Sequence, residues 1–178
     1  MKKIFSILFA LICIVSLVMS LWLGQSAEDL TFNKRSERKL IFHAKYFQGD
    51  YNSTELKSLF EEMKELNIKT KLPVSIINLG SDLHARQLFQ WVGIFTSADT
   101  TAAYKELQRV EIEAEGFIST HIDVHNAVMP KPEEVREAAL NYALELGMTL
   151  DYRSIEIYYS DTDLEIVFPL LKSTGTKP

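Results

Sequence analysis

Residues 132–169 read PEEVREAALNYALELGMTLDYRSIEIYYSDTDLEIVFP, and a change of period inside this stretch decides the fold class. Its first part is helical. Pro132 stands where a missing N–H costs nothing, Val135, Ala138, Ala139, Tyr142 and Leu146 recur at helical spacing, and Gly147 follows as the stop. Beyond it the period falls to two: Ser154 to Tyr159 and Leu164 to Pro169 have the alternating or continuous apolar character of strands, separated by a polar turn. Upstream of the helix, Val110 to His125 forms a long strand region, broken near Gly116. The order is strand, helix, strand, strand.

The same order occurs earlier in the chain. Lys39 to Phe47 looks like a strand, and Asn52, with Glu55 three residues on, caps a helix whose buried face is Leu56, Leu59, Phe60, Met63 and Leu66. Pro73 to Leu79 and Arg86 to Phe95 then read as two strands. The two helices begin roughly 80 residues apart, which points to an internal duplication with halves at about 39–95 and 108–171. Two such βαββ units predict an α+β fold: one antiparallel sheet with both helices on one face. The opposite face is then left free, and its twist would shape it into a central concave groove, a natural place for a ligand.

The domain is preceded by a segment of a different kind. Between Lys3 and the polar residues after Leu23, the run Ile4 to Leu23 carries no charge over 20 residues. As a helix it would span about 30 Å, the hydrocarbon thickness of a bilayer. An amphipathic core helix would show a polar stripe, whereas here only Ser6, Ser16 and Ser20 interrupt the run. We therefore expect residues 1–23 to be an N-terminal transmembrane helix or signal anchor, uncleaved because it is longer than a usual signal-peptide core. Residues 24–38, polar and aperiodic, read as a tether to a domain at 39–178. The basic residues flanking the run give conflicting signals on orientation. The Met1-Lys2-Lys3 start resembles a bacterial export signal, so the domain is expected outside the cytoplasm.

Beyond residue 27 the chain holds 17 basic side chains against 24 acidic, a net charge of −7, and no cysteine. That balance argues against nucleic acid, which needs a basic face. Disulfides, thiolate metal sites and a cysteine nucleophile are excluded.

Strand alternation assigns candidate site residues. In Ser154 to Tyr159, Ile155, Ile157 and Tyr159 point one way, and Glu156 and Tyr158 the other. If the apolar set packs on the helices, Glu156 and Tyr158 line the groove. Glu165 and Val167 likewise share one face of the last strand, opposite Leu164, Ile166 and Phe168. Phe89 and Trp91 alternate with Leu88, Gln90 and Val92. An acid among aromatics attracts a cation by charge and by cation–π contact. For each of these residues the plainer reading is a solvated sheet face or ordinary core. His121, Asp123 and His125 share a strand face, but the outer pair would stand roughly 13 Å apart, too far to share a metal on a regular strand. No metal or cofactor is expected. A nucleophile elbow, a phosphate-binding glycine loop and a His-Glu-x-x-His motif are all missing from the sequence, and no catalytic residue is assigned.

Several short stretches resemble a known family. Gln48-Gly49-Asp50-Tyr51, Phe89-Gln90-Trp91-Val92-Gly93-Ile94, Ile155-Glu156-Ile157-Tyr158 and Glu165-Ile166-Val167-Phe168-Pro169-Leu170 are together similar to the GyrI-like small-molecule-binding domain, the effector-binding domain of several bacterial transcription regulators. The resemblance spans roughly residues 39–171. It implies tandem βαββ units and a groove that holds an amphipathic or cationic organic molecule between aromatic walls and an acid, with Glu156, Tyr158, Glu165, Trp91, Phe89 and Tyr51 as ligand-binding residues. Some members of the family hydrolyse small reactive compounds, which makes a hydrolase using Glu156 and Tyr158 the alternative. A membrane-tethered module that binds a protein partner is a third reading. The chain departs from the family in its second half, where Asp123-Val124-His125-Asn126-Ala127 stands in place of the usual His, Gly and Tyr.

Overall fold

A computed structural model describes residues 30–82, 86–96, 104, 106–123 and 130–172, the side chains of Asp82 and Asp123 excepted. The apolar run expected to be an anchor, the first residues of the expected tether, and His125 lie outside the described residues. Among the described residues no helix is long and apolar enough to cross a membrane.

In chain order the elements are β1 (Asn33–Arg35), β2 (Lys39–Asp50), α1 (Thr54–Thr70), β3 (Val74–Asp82), β4 (Gln87–Thr96), β5 (Gln108–Glu113), β6 (Gly116–Asp123), α2 (Pro132–Glu145), β7 (Met148–Leu150), β8 (Ser154–Tyr158) and β9 (Asp163–Lys172). All strand pairings are antiparallel, in the order β1-β6-β9-β8-β3-β4-β2-β5, with β7 also on β9. The two βαββ units therefore meet at β8 and β3, in the middle of the sheet.

Connectivity forces this sheet to curl. β1 and β2 stand six places apart in the strand order, roughly 29 Å across a flat sheet at about 4.8 Å per step. Only residues 36–38 join them, a link that reaches at most about 14 Å. β5 and β6 stand as far apart and are joined by Ala114 and Glu115 alone. The two ends must come together, and the two links touch: Ala114 N donates to Arg38 O at 3.1 Å. Each unit thus sends its short leading strand to the other unit's edge.

The curl changes which face is free. Phe117 of β6 is buried with Leu40 and Phe42 of β2, Ile112 of β5, and Ile155 and Ile157 of β8, so the concave face closes on itself as an apolar core. Among the described residues, the face away from the helices, where the groove was expected, is filled by this core. α1 and α2 lie on the convex face, over separate patches. Leu56, Leu59 and Met63 of α1 cover Phe47 and Val92, while Val135, Ala139 and Ala143 of α2 cover Ile118, Leu164 and Phe168.

Further differences from the sequence reading are local. Ser53, not Asn52, caps α1: its Oγ accepts from Leu56 N at 3.1 Å, while Asn52 N turns back to Asp50 Oδ1 at 2.7 Å. Leu146 lies beyond the end of α2 and is exposed, and Ala143 takes its place in the buried stripe. Part of the expected tether belongs to the sheet, with Phe32 buried against α2 and Asn33–Arg35 pairing with β6. Gly93 of β4 stands opposite Ala44 of β2. A Cβ there would stand 2.1 Å from His43 O, so no other residue fits.

Candidate functional site

On the convex face, the gap between the two helices is floored by the central strands. Register sets Val74, Ile76 and Asn78 of β3 directly against Tyr158, Glu156 and Ser154 of β8, so all six side chains share that floor. Glu156 also pairs with Ile166 of β9, which packs under α2. Glu156 and Tyr158 thus share a face, as alternation predicts, but it is the face that carries the helices. The expectation failed because the apolar set Ile155 and Ile157 is buried by the curled sheet itself rather than by helices.

Both oxygens of the half-buried Glu156 carboxylate are held. Asn78 Nδ2 donates to Oε1 at 2.8 Å, and the Tyr158 hydroxyl donates to Oε2 at 2.6 Å. Asn78 reaches it from a β-bulge, where the pairing of β3 with β4 slips between Asn78 and Gly80. Bulges of this kind re-aim side chains. Burial first, then the charge of Glu156 and the hydrogen bond to it, push the Tyr158 phenol far above its ordinary range. It stays a neutral donor. Both partners of Glu156 are therefore neutral, and among the described residues no lysine, arginine or histidine makes an ion pair with it.

Two cavities adjoin this pair. Toward α1, a cavity of about 450 Å³ is lined by Phe60, Val74, Ile76, Tyr158 and Tyr159, with Lys64 and Asp161 also on its wall. Toward α2, one of about 220 Å³ is lined by Pro130, Val135, Ile166 and Phe168 together with Ser154 and Glu156, with Glu133 and Arg136 also on its wall.

The other expected site residues do not join them. Glu165 pairs with Ile157 across β8, which puts it on the concave face, opposite Glu156. There it is buried and neutralised: Arg35 Nη1 lies 3.2 Å from both its oxygens, the Tyr159 hydroxyl donates to Oε2 at 2.9 Å, and His121 Nε2 stands 3.9 Å away. Burial lowers the Arg35 pKa, but the hydrogen bond to Glu37 and the charge of Glu165 outweigh it and hold the guanidinium above its usual value. Tyr159 is pushed up to about 12 by burial and by Glu165. Trp91 packs in the concave core with its ring 5.3 Å from that of Tyr46, and Phe89 shares its face by alternation along β4. Tyr51 stands exposed in the turn before α1. Sequence reasoning missed Asn78. Its signal was a polar residue inside an apolar strand, two positions before Gly80.

No protein-family model and no curated protein matches the chain. Solved structures do resemble it. An uncharacterized conserved protein from Listeria innocua aligns with TM-score 0.54 and 12% identity, covering 79% of this chain and 92% of that one. A hydrolase encoded by lin2189 from the same organism aligns with TM-score 0.52 and 11% identity, covering 79% and 91%. SAV2435 bound to tetraphenylphosphonium reaches TM-score 0.48 at 10% identity over 79% and 93%, a likeness too slight to carry an argument. At such identities the first two establish the shared α+β fold, a curled antiparallel sheet with two helices, and nothing about chemistry.

Proposed function

We propose that the chain binds a small organic cation, amphipathic in character, in the gap between α1 and α2, with Glu156 as its counter-charge. One observation carries the reading. Glu156 is a half-buried carboxylate held in place by two neutral donors, beside two apolar cavities, with no cationic partner among the described residues. A carboxylate in an apolar setting costs free energy unless a positive charge meets it, so such a site favours a cation over its neutral isostere. The aromatic side chains Phe60 and Tyr158 add ring faces and edges for an organic body. The reading agrees with the resemblance to the GyrI-like domain in ligand class, while Glu165, Trp91, Phe89 and Tyr51 drop out of the proposed contact set.

The test is a thermal-shift screen against cationic dyes, lipophilic amines and neutral analogues of matched shape, because a ligand that binds only the folded chain raises its melting temperature. Stabilisation by cations alone, lost in Glu156→Gln, is the expected result. Equal stabilisation by neutral analogues would overturn it.

The 2.6 Å contact between Glu156 and Tyr158 favours a second reading, a hydrolase of the same fold. Glu156 would take a proton from an attacking water, and Tyr158, kept protonated, would turn its hydroxyl from the carboxylate that has just been neutralised to the oxyanion. Turnover of activated esters that disappears in both Glu156→Gln and Tyr158→Phe would favour this reading. Absence of turnover with retained binding would remove it.

For location, the apolar run Ile4 to Leu23 supports a single-pass anchor with the domain outside the cytoplasm. Full-length chain released from membranes by alkaline carbonate would count against an anchor. Protection of the domain from protease added outside intact spheroplasts would count against the orientation.

A further inference from the structure

The two cavities are unequal, and the Glu156–Tyr158 pair stands at their boundary. Tyr158 lines the larger cavity, its ring also packs against the core beneath α2, and its hydroxyl is bonded to Glu156, which lines the smaller one. Pockets that enclose a whole small molecule usually run from about 300 to 1,000 Å³. The cavity of about 450 Å³ falls within that range, and the cavity of about 220 Å³ falls below it. One can hold a ligand's body. The other has room for a substituent only.

The walls differ as well. Phe60 and Tyr158 give the larger cavity aromatic surface, whereas the apolar wall of the smaller is Pro130, Pro132, Val135 and Ile166, with Phe168 alone aromatic. Charge fixes the orientation. Each cavity carries one base and one acid on its wall, Lys64 with Asp161 in the larger and Arg136 with Glu133 in the smaller, so the surplus negative charge is that of Glu156, and it attracts a cation to the boundary.

Resting on the proposed function, we infer that the ligand is a two-armed ammonium-type cation: an aromatic body in the α1 cavity, the positive centre at Glu156, and a short aliphatic arm in the α2 cavity. Phe60 selects the first arm and Ser154, on the wall of the smaller cavity, limits the second. The three parts of such a molecule meet three different surfaces, so each can be varied on its own.

The experiment is calorimetric titration of the full-length chain with tetramethylammonium, benzyltrimethylammonium and benzylbutyldimethylammonium. The wild-type chain should bind the benzyl probe more tightly than tetramethylammonium, and the butyl probe more tightly still. Phe60→Ala should cut the preference for benzyltrimethylammonium over tetramethylammonium by about tenfold. Ser154→Leu should cut the preference for the butyl probe over benzyltrimethylammonium by a similar factor. Phe60→Leu, which keeps most of the volume and removes the ring, serves if the alanine variant does not fold. Preferences unmoved in both variants, with binding still dependent on Glu156, would overturn the two-armed ligand and leave the cation site standing. No binding of any probe by the wild-type chain would overturn both.

Discussion

Glu156 and Glu165 sit on neighbouring strands at the centre of one sheet, yet they do opposite things. Glu165 faces the closed concave side, where Arg35 and Tyr159 hold it and the local charge is balanced. Glu156 faces the gap between the helices, where Asn78 and Tyr158 orient it without neutralising it. The registers Ile157↔Glu165 and Glu156↔Ile166 set the two acids on opposite faces. A slip of β9 by one residue would bring Glu165 to the face of Glu156. An acid with its own cation is part of the scaffold, and an acid held only by neutral donors is available to a ligand.

The largest effect should come from breaking the balanced side. Arg35→Ala leaves Glu165 buried without its guanidinium and should lower stability by about 3–5 kcal/mol, read from urea unfolding. A loss under about 1 kcal/mol would show that Glu165 is solvated and the contrast false.

Next comes Glu156→Gln. It should weaken binding of a benzylammonium-type cation at least about a hundredfold while changing stability by no more than about 1 kcal/mol. Loss of folding together with binding would make Glu156 a structural residue like Glu165.

Tyr158→Phe sharpens the comparison further. It removes the donor to Oε2 and should cost about 1–2 kcal/mol near pH 8, a value expected for a hydrogen bond to a charged group. The pH dependence has a definite sign. A phenol whose pKa rises on folding contributes stability that is fully present below its unfolded value, about 10, and is lost as pH climbs above it. Wild-type stability should therefore fall from about pH 10 upward, more gently in Tyr158→Phe. Tyr159→Phe should ease the same limb over a narrower window, since Tyr159 titrates at about 12. An alkaline limb identical in all three proteins would mean that neither phenol is held as described.

The smallest effect tests the helix-facing floor away from the acids. The Thr120 hydroxyl is buried, with no hydrogen-bond partner among the described residues, so Thr120→Val should leave stability unchanged or raise it by up to about 1 kcal/mol. A marked loss would reveal a polar partner under α2.

Most of the regular elements were legible in the sequence because each announces itself locally. Helical spacing and the Pro132 and Gly147 punctuation place α2 within a few residues, and period-two alternation places β8 and β9. The cap of α1 moved by one position because the helix begins at Thr54: the Asn52 backbone N–H is held in the turn by Asp50, and the Ser53 hydroxyl accepts from Leu56 N. β1 and β7, with three residues each, were not legible, since so short a strand has no period and owes its existence to its partner. In the site, the pairing of Glu156 with Tyr158 on one face was readable. The contribution of Asn78 was not, because it depends on a bulge and on a partner strand 76 residues further on.

What the sequence by itself determined was the order of elements, the duplicated strand-helix-strand-strand units, and which side chains share a face, because all of these follow from spacing along the backbone. Which face stays open was decided by the tertiary structure alone. Two links of two and three residues join strands at opposite ends of the sheet order, so the sheet has to curl and bury its far side. That closure takes Glu165 into an ion pair with a strand from the other unit, and leaves Glu156 in the gap that the two helices do not cover.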